Sequence, residues 1–331
     1  MLKFNEQKQI DSVNGALRLR KQINTIVDKI CEEGYKNICW LGIGGTYASC
    51  LQAEVHMKEI SRINFFVENA AEYLLTGNYK IGEGTIVVIS SVTGSTEEMV
   101  AGVKKVQEAG AKVIGFIDVE TTELAQMVDY EIAYSGNEQL KFYMTADRFM
   151  FNNGEFPEYE ELYSELDSHL AEALVEVEKQ ADELGKQIAE KHCNDKIHYF
   201  IGAGNQYGAT YSYAMCYWEE QHWIRTKSIH SAEFFHGMLE IIDRDTAVTV
   251  FIGEDSQREL SERVARFLPR ICANYNIIDT KSYELKGIST QYRGHISHLV
   301  MHAVTQRIDA YIEQINRHPM EIRRYYRQLD Y

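Results

Sequence analysis

Basic residues are in short supply in this chain. Its 331 residues hold 34 Lys and Arg against 49 Asp and Glu, a net charge of −15. That balance argues against sequence-independent binding to nucleic acid, which needs a basic surface. Small anions remain possible ligands, because backbone amides and helix N-termini bind them without a basic side chain. No apolar run approaches the roughly 18 residues of a spanning helix. The opening MLKFNEQKQIDSVNG lacks the apolar core of a secretory signal. A membrane partner is therefore not expected. Six cysteines (Cys31, Cys39, Cys50, Cys193, Cys216, Cys272) include no CxxC pair. Neither a disulfide framework nor a zinc site is expected, and the thiols read as reduced ones in a cytoplasmic protein. No Walker lysine is present, which removes the P-loop nucleotide reading.

What is there is a core-forming composition, 45% hydrophobic and 25% charged, and a repeated pattern. NICWLGI (37–43), NFFVE (64–68), TIVVISS (85–91) and KVIGFID (112–118) read as strands. Their apolar residues run continuously, as in strands buried on both faces. Amphipathic stretches lie between them; STEEMVAGVKKVQEAG closes on Gly110, a helix stop. Residues 157–192 are acidic and helical, with Pro157 placed to open them. Alternation resumes with KIHYFIGAG (196–204), a helix over 206–223, AVTVFIG (247–253), a helix over 256–275 and NIIDT (276–280). The expected fold class is α/β, with parallel sheets flanked by helices. The expected division is 1–156, a helical connector over 157–192, and 193–331. CWLGIGGTYASC (39–50) and HYFIGAGNQYGA (198–209) look like counterparts, so the two halves read as duplicated domains.

Glycine turns follow the first strand of each half. Gly42 and Gly44 fit a dinucleotide fingerprint, but Tyr47 stands where a third glycine is required, and Tyr207 repeats the failure in the second half. SSVTGSTEEMV (90–100) carries more information. It joins a buried strand to a helix and offers Ser91, Thr93, Ser95 and Thr96 beside free helix-start amides, a setting that binds phosphate without a lysine. The alternative is a well-capped helix in which Thr93 or Ser95 serves only as N-cap.

A strand, GGT and a helix, followed by a further strand and S-x-[ST]-G-x-T, resemble the sugar isomerase (SIS) domain of phosphosugar proteins. Two such domains in tandem resemble the isomerase half of glucosamine-6-phosphate synthase. The resemblance implies that Ser91, Thr93, Ser95 and Thr96 hold a sugar phosphate with Thr46, beside Gly44 and Gly45. It also implies that each domain is a flavodoxin-like doubly wound sheet. In that family a glutamate and a histidine sixteen residues apart carry the chemistry. Here they are Glu220 and His236, within EQHWIRTKSIHSAEFFHG (220–237), with His230 and Glu233 as further site candidates. This run, with NRHPMEIRRYYRQLDY (316–331), is similar to the fructosamine-6-phosphate deglycase branch. Met238 departs from that branch's proline, Ser231 and Ala232 from its Ala-Gly, and Thr93 from the usual serine. The synthase has a lysine five residues after its C-terminal proline, whereas Arg324 stands there. Arginine stays protonated and forms no Schiff base; it clamps phosphates or carboxylates.

The resemblance implies an enzyme that removes the amine from a 6-phosphorylated ketosamine by acid–base chemistry, with no metal or organic cofactor. Glutamate and histidine suit such proton steps near neutral pH. A phosphosugar isomerase, an aminosugar-6-phosphate deaminase and a non-catalytic sugar-phosphate sensor are the alternatives. A homodimer or higher homo-oligomer is also implied, with one subunit completing the other's site. Glu219 is expected in solvent, and His222 and His230 as hydrogen-bonded packing residues. His295, His298 and His302, spaced i, i+3, i+7, are expected to form a plain surface or interface face rather than a zinc site.

Overall fold

The computed structural model describes residues 1–330. They form two compact units: residues 7–171, and residues 1–6 with 172 onward.

The first unit opens with helices α1 (Glu6–Arg18) and α2 (Arg20–Glu33). Strands and helices then alternate: β1 (Asn37–Gly42), α3 (Gly45–Ile60), β2 (Phe65–Asn69), α4 (Ala70–Thr76), β3 (Thr85–Ser91), α5 (Glu97–Glu108), β4 (Lys112–Ile117), α6 (Glu123–Met127), β5 (Tyr130–Ala133) and α7 (Glu138–Asn152). All strand pairs are parallel, in the order β2-β1-β3-β4-β5. This is the doubly wound order of flavodoxin-like sheets. Every residue of the inner strands β1 and β3 is buried. Cys39, Leu41, Val87 and Ile89 pack with Val103 and Val113 in one core layer. Trp40 turns the other way, 4.9 Å from Phe142 of α7, and its Nε1 donates to Met57 Sδ. Burying a side chain of this kind stabilises by about 1.5–3 kcal/mol.

The acidic stretch after Pro157 is one continuous helix, α8 (Tyr159–His192), rather than a segment apart. Its residues to Ala171 belong to the first unit and those from Glu172 to the second.

The second unit continues with β6 (His198–Gly202), α9 (Asn205–Ser212), a π-helical turn over Tyr213–Glu219, β7 (Thr226–His230) and 3-10 turns over Ser231–His236 and Met238–Ile241. It ends with β8 (Ala247–Ile252), α10 (Arg258–Phe267), β9 (Tyr275–Asp279) and α11 (Arg293–Asn316). Its parallel sheet runs β7-β6-β8-β9, the first sheet's order less one strand. Ile201, Phe234, Val248, Val250, Val264 and Leu268 form its core. The helix read over 206–223 is α-helical only to Ser212 and then widens into the π turn. Of the three histidines expected on a surface or interface face of α11, His298 is 1% exposed and packs inside, while His295 and His302 are half-buried. Among the described residues, no helix is long and apolar enough to cross a membrane.

Candidate active site

In doubly wound sheets, ligands approach the carboxyl ends of the strands where the winding reverses. In the first unit that point lies between β1 and β3, and both turns singled out by sequence leave from it.

The β1 turn needs glycine twice. A Cβ at Gly42 would lie 2.8 Å from the Tyr47 amide nitrogen, and Gly44 sits at φ 61°, where glycine is at ease. Thr46, in the first turn of α3, donates to Glu138 Oε2 at 3.2 Å. The β3 turn is held from within. Buried Ser91 accepts the Gly94 amide at 3.0 Å, and Ser95 Oγ donates to Thr93 Oγ1 at 3.3 Å. Gly94 is left-handed at φ 59°, and a Cβ there would run into Thr122. The N-cap position of α5 falls to Thr96, not to Thr93 or Ser95, and its hydroxyl makes no cap bond. The structure thus gathers Ser91, Thr93, Ser95 and Thr96 into one hydroxyl-lined turn at a helix start.

Sequence reasoning missed Lys141 beside this region. It is buried on α7, donates to the Tyr134 carbonyl at 2.7 Å and lies 3.5 Å from Asp118 Oδ1, just after β4. Burial lowers its pKa, against the pull of Asp118 and Glu138. Only its place three residues after Glu138 on an apolar helix face could have signalled it.

In the second unit, Glu220 follows the π turn. The Glu220 amide donates to the Met215 carbonyl and the His222 amide to the Tyr217 carbonyl, both five residues back. Such insertions concentrate at functional sites. Arg323 Nε donates to Glu220 Oε1 at 2.8 Å. Arg324, the candidate clamp, lies over the Trp223 ring at 4.1 Å, with His318 on the same ring at 4.1 Å. Consecutive residues point to different sides, so one arginine takes the carboxylate and the next an aromatic face.

His236 ends the 3-10 turn after β7 and is exposed, as is Glu233. His230 closes β7, is edge-on to Tyr207 at 5.0 Å, and its Nδ1 accepts the Ala232 amide at 3.1 Å. Glu219 is exposed and accepts from the Thr226 amide and hydroxyl. His222 is a packing residue: it is buried, with Nε2 3.0 Å from Asp309 Oδ1. Glu220 precedes β7 and His236 follows it. Five strand residues at about 3.3 Å each separate them, so one chain holds the two at opposite ends of edge strand β7.

Within the second unit, one trio has metal-ligand chemistry: His192, Asp195 and His198. Each of its histidine nitrogens already has a protein partner. Both Nδ1 atoms donate to Asp195 Oδ2, at 2.7 and 2.8 Å, while Asn276 reaches His192 Nε2 and Thr249 reaches His198 Nε2. Burial holds the His198 pKa down to about 4.

Residues 34–146 match the family model of the SIS domain. Both units are parallel sheets flanked by helices, the α/β architecture that the sequence resemblance implied. Among relatives, the chain is 26% identical to fructosamine deglycase FrlB of Bacillus subtilis, over 95% of this chain and 98% of that protein. It is 21% identical to fructoselysine 6-phosphate deglycase of Escherichia coli O157:H7, over 92% and 89%. A solved Bacillus subtilis structure, provisionally assigned as a phosphosugar isomerase, superposes with a TM-score of 0.89 at 24% identity, covering 98% of this chain and all of that one.

Proposed function

We propose that the protein is a deglycase for a 6-phosphorylated ketosamine such as fructoselysine 6-phosphate. The observation that carries this reading is a hydroxyl turn suited to phosphate in one unit and a glutamate held by an arginine in the other. The deglycase relatives match along nearly the whole chain.

The first unit binds the phosphate through Ser91, Thr93, Ser95 and Thr96, the α5 amides and Thr46. The second supplies the proton chemistry. The Arg323 guanidinium fixes Glu220 Oε1, and Oε2 takes the C1 proton of the open-chain ketosamine. The electrons left at C1 form a C1–C2 double bond as O2 gains a proton. Reprotonation at C2 then gives an imine at C1. Water adds to the imine, the C–N bond breaks, and an aldose 6-phosphate and a free amine leave. His236 serves as the acid at O2 or at the ring oxygen. Positioned proton transfers of this type contribute about 10²–10⁴-fold each. Because Glu220 and His236 of one chain lie at opposite ends of β7, the pair is completed by a second copy of the chain, in a homodimer.

The test is release of glucose 6-phosphate from fructoselysine 6-phosphate in a coupled assay. Glu220→Gln and His236→Ala are each expected to abolish it. Mixing the two inactive variants is expected to restore roughly a quarter of the activity, since random reassortment of a symmetric dimer gives half its chains a partner with the complementary defect. Turnover that survives in Glu220→Gln removes the assigned base. Inactive mixtures remove the shared pair. Interconversion of phosphosugars without amine release would favour the isomerase alternative.

A further inference from the structure

The two glycine turns have the same backbone. Gly44 (φ 61°, ψ −130°) precedes α3 and Gly204 (φ 61°, ψ −139°) precedes α9. Strand register carries the match to the neighbouring turn. Trp40 and Phe200 each lie two residues before the first turn glycine, and they pair with Val88 and Thr249. Val88 therefore corresponds to Thr249, Ser91 to Ile252, Thr93 to Glu254, Gly94 to Asp255 and Thr96 to Gln257. Helices α5 and α10 then begin at equivalent residues, Glu97 and Arg258.

What faces the two turns is different. A Cβ at Gly44 would meet nothing within 4 Å, whereas one at Gly204 would run into the Asp255 carboxylate. That carboxylate accepts the amide of Asn205, the first residue of α9, at 2.7 Å, and the amide of Gln257 at 2.9 Å. Gln257 Oε1 accepts the Gly204 amide at 3.3 Å. Amides and a positive helix end that would suit an incoming anion are thus turned on a fixed one. Glu254, in the place of Thr93, is drawn off by Arg293 through two hydrogen bonds of 2.8 Å.

We propose that the second turn is an anion cradle filled from within. The Asp255 carboxylate occupies the place that a phosphate takes in the first unit, so the chain binds one phosphate-bearing ligand rather than two. The inference rests on the phosphate reading of the first turn, and variants on the two turns separate them.

Asp255→Gly gives the second turn the residue that the first has at that place. Calorimetric titration with inorganic phosphate at constant ionic strength is expected to show one phosphate bound per wild-type chain and two per Asp255→Gly chain. Phosphate is also expected to return the Tm that the variant loses. A single phosphate per Asp255→Gly chain, with a Tm that phosphate leaves low, overturns the proposal. The double variant Ser91→Ala, Thr93→Val removes hydroxyls of the first turn only. If it still binds phosphate with wild-type affinity, the first-turn reading fails, while the count for Asp255→Gly still decides the second. Should Asp255→Gly not fold, refolding in phosphate against chloride decides: recovery in phosphate alone supports the cradle, and equal failure in both overturns it.

Discussion

The two units wind their strands alike but treat the ends of those strands differently. In the first, the turns at the winding reversal carry hydroxyls and a glycine with open space in front of it. In the second, the equivalent turn is lined with Glu254, Asp255 and Gln257, and the reactive candidates sit elsewhere, just after a π turn and after β7. Winding order determines where a ligand has room to approach. The handful of side chains facing that room determines whether it is used, and for which charge.

The comparison breaks most sharply at Glu220. If the proton chemistry belongs to the second unit, Glu220→Gln lowers turnover by about 10²–10⁴-fold and leaves phosphate affinity at the wild-type value; a calorimetric and a kinetic measurement on one sample read both. The next effect belongs to the second unit's stability. His198 is buried and neutral, with its pKa held near 4 by desolvation, against about 6.5 unfolded. A depressed pKa contributes stability above the unfolded value that is lost as pH falls toward the folded one. About 3 kcal/mol is therefore lost between pH about 6.5 and about 4. Denaturant unfolding is expected to show this slope flattened in His198→Gln. Asp195 adds a further loss at lower pH. Burial favours its protonation, but hydrogen bonds from His192 and His198 outweigh that and hold it to about 2.

A smaller effect is expected at Gly94. Alanine there costs about 1–2 kcal/mol for its left-handed backbone, with more from Thr122, and weakens phosphate binding; a wild-type Tm would show that the turn relaxes freely. Smallest is a pair of caps within the first unit. Asn69 accepts the Ala71 and Glu72 amides, so Asn69→Ala costs about 1 kcal/mol. Thr96 makes no such bond, so Thr96→Ala is expected to stay within about 0.5 kcal/mol, and thermal unfolding of both variants checks the contrast.

Buried parallel strands were easy to read because continuous apolar runs such as TIVVI have little else to be. The hydroxyl turn was legible for the same reason, lying between such a run and an amphipathic helix. Two of the four edge strands, β5 and β7, were harder. In β5 the sequence YEIA alternates polarity over four residues, and in β7 TKSIH has a single strongly apolar residue, so neither shows the doubly buried signature. Helix α11 buries residues on most of its faces, which erases a clean 3.6-residue stripe. The π turn left no periodic mark, since one extra residue in seven is too short a change to shift a pattern. Arg323 and Arg324 are indistinguishable until the backbone says which faces Glu220.

That π turn has a consequence for insertions and deletions. An α-helix advances by about 100° per residue, and a π turn is an α-helix that has absorbed one residue without breaking. Losing any single residue from 213–219 would let the segment close into ordinary helix, with β6 and β7 still able to pair. The carboxylate of Glu220 would then swing by about 100° away from Arg323. Its aim is stored in chain length rather than in the identity of any neighbour, so a frame-preserving deletion of one codon could silence the chemistry while every residue of the motif stayed in place.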